Sequence, residues 1–100
     1  MNDREIKNEK RAGLGNVLKL LRIAREMTTK ELASKMNVSS TYICEVESNN
    51  KKPSLDMLDK YSEVLEIKRS TILYFDEEIQ EHGYNYQKLL FQILQKIIEK

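Results

Sequence analysis

The stretch Thr28–Pro53, TTKELASKMNVSSTYICEVESNNKKP, constrains the fold more than any other part of the chain. Its apolar residues fall into two short sets at helical spacing: Leu32, Ala33 and Met36, then Ile43 and Val46. Two short helices that cross each other satisfy that pattern. Between them, Asn37-Val38-Ser39 supplies a residue tolerant of left-handed backbone, an apolar plug and a helix N-cap. Thr28 and Glu31 have the spacing of a capping box, which starts the first helix of the pair. Ala33 stands where the two helices cross most closely, a place with no room for a larger side chain.

The flanking segments read as further helices. One follows Gly15, with Val17, Leu18, Leu21 and Ala24 on one face and Lys19, Arg22 and Arg25 distributed around it. Ser39 caps a helix running to about Ser48, and residues 49–53 form a polar loop. Ser54 caps the next helix, whose inward face is expected to be Leu55, Leu58, Tyr61, Ser62 and Leu65. Ile67 is expected in a buried connection, and Ser70 starts a fifth helix with Ile72, Leu73 and Phe75. The expected fold is therefore all-α: five helices in residues 12–76, preceded by a charged arm at 1–11. Residues 77–83, acidic and ending in Gly83, suggest a hinge, and 84–100 a separate amphipathic helix.

Composition excludes several classes of function. One hundred residues make one domain, a third of them charged, with three glycines and one proline, as suits a soluble helical protein. Cys44 is the single cysteine, so no internal disulfide forms and a reducing cytoplasm is the expected compartment. The first residues lack an apolar signal core, and no stretch is long enough to span a bilayer. His82 and Cys44 are far apart in sequence, so no nucleophile–base pair suggests an enzyme. Asp76, Glu77, Glu78 and Glu81 lack the pattern of a calcium loop, His82 has no evident co-ligands, and Gly13-x-Gly15 is no nucleotide fingerprint. Neither metal nor cofactor is expected. The net charge of +1 is uneven: residues 1–60 carry twelve basic against nine acidic side chains, residues 61–100 five against seven. The bias towards the first part is basic and weak.

Residues from about Val17 to Phe75 resemble the Cro and phage-repressor type of helix-turn-helix domain. The likeness rests on LLRIAREMTTKELASKMNV, then SSTYICEVESNNKKPSLDML, then VLEIKRSTILYF. Asn37 and Asn49 stand where that family commonly has glycine. The resemblance implies a five-helix double-stranded-DNA-binding fold, with the helix 39–48 in the major groove. It implies that Arg22 and Glu47 form a structural ion pair, that Ser40, Thr41 and Glu45 meet base edges, and that Thr29 touches phosphate.

The chemistry of the side chains is compatible with those roles. Ser40 and Thr41 donate or accept hydrogen bonds, and Glu45 accepts from cytosine N4 while repelling phosphates. Cys44 is read as a small passive residue in the groove, flanked by carboxylates that disfavour a thiolate. Phosphate contacts are expected from Thr29, Ser39, Tyr42, Asn50, Lys51, Lys52 and the amides at Ser54. Regulators of this kind bind two-fold operators as dimers. The apolar stripe Tyr86, Leu89, Leu90, Ile93, Leu94, Ile97 and Ile98 is expected to form a homodimer interface, with Phe91 widening it. Packing of that stripe on its own domain, or on another protein, is the alternative. The resulting reading is a dimeric repressor, set against an interaction module such as an antitoxin or adaptor.

Overall fold

The computed structural model describes residues 12–99, so the expected arm at 1–11 lies outside the described residues. Six helices follow one another: α1 Leu14–Ala24, α2 Thr29–Met36, α3 Ser40–Glu47, α4 Leu55–Leu65, α5 Arg69–His82 and α6 Tyr86–Glu99. Among the described residues there is no strand. The all-α expectation is met, with α6 added to the five-helix body.

Local chemistry sets the boundaries. Thr28 and Glu31 form the reciprocal box that opens α2: the Glu31 amide donates to Thr28 Oγ1 at 3.0 Å, and the Thr28 amide to Glu31 Oε1 at 2.8 Å. Asn37 closes α2 in the left-handed region, at φ 60° and ψ 45°. Ser39 and Ser54 cap α3 and α4 by accepting from the amides of Tyr42 and Met57.

The central element is α1. Leu14, Val17, Leu18, Leu20 and Leu21 are all buried, and the helix contacts α3, α4, α5 and α6. Leu14 and Leu20 lie outside the narrow stripe expected from sequence. They broaden the apolar surface beyond what α3 and α4 cover, and α5 and α6 complete the enclosure. The buried set then continues through Leu32, Ala33, Met36, Ile43, Val46, Leu58, Tyr61, Leu65, Ile72 and Phe75.

Three expectations are corrected. Helix α1 begins at Leu14, one residue before Gly15, which lies within the first turn. Leu55 is exposed, as are Ser54 and Asp56: the first turn of α4 projects beyond the packed body, and its buried stripe starts at Leu58. Residues 77–83 are no hinge. Ile79 is buried one turn beyond Phe75, so α5 continues to His82 before Gly83 ends it at φ 84°.

The C-terminal helix is also corrected in part. Leu89 and Ile93, expected in an interface between chains, are 4% and 0% exposed within their own domain. Leu90 and Ile97 pack against the same core from its edge. Helix α6 supplies the cover that α1 requires, so half of its stripe is used in cis. The outer half remains: Tyr86, Phe91, Leu94 and Ile98 are exposed, Ile98 at 81%.

Candidate nucleic-acid interface

The position of α3 follows from one anchor at its end. Arg22, on α1, donates from Nε to Glu47 Oε2 at 2.6 Å and from Nη2 to Glu47 Oε1 at 3.0 Å. A third bond runs from Nη1 to the carbonyl of Met27 at 2.8 Å. The fork is thus filled by a bidentate carboxylate and the turn that leads into α2. The side chains are only 12% and 7% exposed, and the hydrogen bond to Glu47 raises the Arg22 pKa further above its ordinary value. The expected structural ion pair is present.

With Ile43 and Val46 buried and Glu47 anchored, Thr41, Cys44, Glu45 and Ser48 remain along one outward face of α3, with Ser40 at its start. Cys44 is exposed. Ser48 is partly engaged, donating to the Glu45 carbonyl at 3.1 Å and accepting from Asn50 Nδ2 at 2.9 Å.

The residues expected at phosphates come from three segments. Thr29 opens α2, Ser39 and Tyr42 belong to the start of α3, and Asn50, Lys51, Lys52 and Ser54 to the loop leading into α4. Ser39 and Ser54 use one hydroxyl lone pair in capping, which leaves each O–H available to donate. Tyr42 is half-buried and burial pushes its phenol pKa up; its O–H, protonated at neutral pH like any phenol, can donate.

Two positioning side chains go beyond what the sequence pattern suggests. Asn49 has φ 64° and closes the α3 turn, as its glycine-like position requires. Its side chain also reaches back to α1: Oδ1 accepts from the Gly15 amide at 2.8 Å, and Nδ2 donates to Asn16 Oδ1 at 2.9 Å. A Cβ at Gly15 would collide with the Val46 carbonyl and stand 2.6 Å from Asn49 Oδ1. Arg25 closes the C-terminus of α4, donating to the carbonyls of Leu65 at 2.8 Å and Glu66 at 3.0 Å. Residue spacing holds no signal for either link, because each joins segments more than thirty residues apart.

Away from this face, the last turns of α5 bring Glu78, Glu81 and His82 together, with ligand atoms within 4.8 Å of one another. The sequence shows no evident neighbours for His82; the helix supplies two. They lie on an open surface, with His82 Nε2 3.7 Å from Glu81 Oε1.

Taken together, the capped turn, the buried Ala33 and the polar outward face of α3 define a helix-turn-helix unit. The helix-turn-helix family profile matches residues 18–72, and the chain belongs to this family, in its Cro and phage-repressor branch. A curated relative is the immunity repressor protein of Bacillus phage phi105, 32% identical over 73 residues. The match covers 73% of this chain, which spans about half, 51%, of the relative's length. Among the described residues, no helix is long and apolar enough to cross a membrane.

Proposed function

We propose that the protein is a sequence-specific repressor that reads double-stranded DNA in the major groove with α3. Ser40, Thr41, Cys44 and Glu45 face base edges in this reading, and Thr29, Ser39, Tyr42, Asn50, Lys51, Lys52 and Ser54 hold phosphates. The observation that carries it is the anchoring of α3. Arg22 and Glu47 hold its end on α1, which leaves its polar side outward beside the two loop lysines. The name of the phage relative favours repression over activation.

The active unit in this proposal is a homodimer matched to a two-fold operator. Its interface is narrower than the apolar stripe alone suggests. Leu89 and Ile93 are occupied in the core and Leu90 and Ile97 are half-buried at its edge, which leaves chiefly Tyr86, Phe91, Leu94 and Ile98 to meet a second copy. A heterologous protein on the same residues is the second reading, which the 62% exposure of Phe91 allows equally.

Selection of bound fragments from a genomic DNA pool, followed by titration across salt, tests the function. Enrichment of a two-fold sequence is expected, with affinity that falls steeply with salt. Replacing Lys51 and Lys52 together by alanine should flatten that slope by about 0.9 for each phosphate no longer neutralised. Retention that is absent, or insensitive to salt, sinks the proposal.

A further inference from the structure

The loop behind α3 is folded onto the reading helix. The amides of Asn50 and Lys51 both donate to the Glu45 carbonyl, at 2.9 and 3.2 Å, and Ser48 Oγ donates to the same oxygen. That anchoring carries Lys51 back over the helix. Its Nζ lies 3.5 Å from Glu45 Oε1 and 5.7 Å from the centroid of the Tyr42 ring. The neighbouring Lys52 makes no ion pair among the described residues. The two lysines of this loop are therefore not equivalent: one is engaged, the other available.

We infer that Glu45 acts as an internal substitute for a DNA phosphate, holding Lys51 until a base takes over the carboxylate. The inference rests on the DNA-binding reading above and adds a mechanism of discrimination to it. An ammonium at Lys51 has two competing acceptors, the Glu45 carboxylate and a backbone phosphate. Both side chains are about half exposed, 51% and 45%, so water screens their pairing and leaves it open to exchange. Opposite a base edge that offers a hydrogen, as cytosine N4 does, the carboxylate gains a donor of its own and Lys51 is free to move to phosphate. Opposite an acceptor-only edge the carboxylate keeps Lys51, and one phosphate of the complex goes without its cation. The same glutamate that accepts from the correct base therefore withholds a cation from the incorrect one.

The test is a double-mutant cycle on a short duplex of random sequence, read by fluorescence anisotropy across a range of salt. Wild type, Glu45→Gln, Lys51→Ala and the double variant are compared, with circular dichroism to confirm that each is folded. Glu45→Gln is expected to raise affinity several-fold and to steepen the dependence of log K on log salt by about 0.9, one additional phosphate. In the Lys51→Ala background the same substitution should leave the slope unchanged. An equal gain in both backgrounds overturns the inference, because Glu45 then acts only by repelling DNA. No gain in either background, with the wild type still binding in a salt-dependent way, also overturns it and leaves the DNA-binding reading intact. Absence of salt-dependent binding by the wild type on the random and the selected duplex overturns both.

Discussion

Glu47 illustrates how one side chain sets the geometry of a whole surface. Its carboxylate takes two of the three hydrogen bonds that Arg22 makes, at a position 7% exposed. Glu47→Ala should strand the guanidinium and cost about 3–5 kcal/mol, measured by urea unfolding. A loss within experimental error would mean that water replaces the carboxylate without penalty. Tyr61 is the opposite case. Its ring is fully buried and its hydroxyl has no hydrogen-bond partner among the described residues. Tyr61→Phe should therefore be neutral or stabilising, since it removes an unpaired polar group.

The same residue should contribute to behaviour in alkali. Burial raises the pKa of both Tyr61 and Tyr42 above the ordinary value of 10.0. A raised folded-state value means that the native protein holds these protons longer than the unfolded chain does. The stability that these two groups contribute is then fully present below pH 10 and is lost as pH rises through the folded-state values. Tyr61→Phe should soften that decline. The check is a series of unfolding curves from neutral to strongly alkaline pH.

At the scale of elements, the joint between α1 and the end of α3 depends on Asn49 twice, through its backbone and its amide. Asn49→Gly keeps the left-handed conformation but removes two hydrogen bonds, and should cost about 1–3 kcal/mol. Asn49→Ala removes both features and should cost roughly 1 kcal/mol more. Thermal unfolding of the two variants side by side reads the difference; equal losses would show that the backbone conformation is not what asparagine contributes. This joint also marks how far sequence is informative. The helices, their caps and the Arg22–Glu47 pair are legible, the helices and caps because periodicity and capping are local and the pair because family resemblance reports it. The reach of Asn49 to Gly15, and of Arg25 to α4, is not, since these bonds depend on tertiary distance. The continuation of α5 is obscured for a related reason. The acidic composition of residues 76–81 suggests a linker, while Ile79 alone carries the helical spacing forward from Phe75. Of the outward face of α3, position is legible, but the engagement of Lys51 by Glu45 is not.

At the scale of the whole molecule, α6 serves the core before it can serve any partner. Leu89 and Ile93 close the apolar surface of α1, so removal of residues 84–100 should uncover that core and unfold the domain, with no folded monomer left to isolate. Phe91→Lys with Ile98→Lys is the better probe of assembly, because both side chains point outward. The double variant should retain its circular dichroism and sediment as a monomer, whereas a dimer that survives would place the interface elsewhere.

In the proposed dimer, a helix that packs inward with Ile93 and presents Ile98 outward would link two equilibria that are separate in many regulators. In a dimer built on α6, dilution weakens the fold as well as the assembly, and the melting temperature should climb with protein concentration. Abundance in the cell would then set both occupancy of DNA and survival of the folded chain, so a fall in synthesis would be amplified by loss of the dilute monomer.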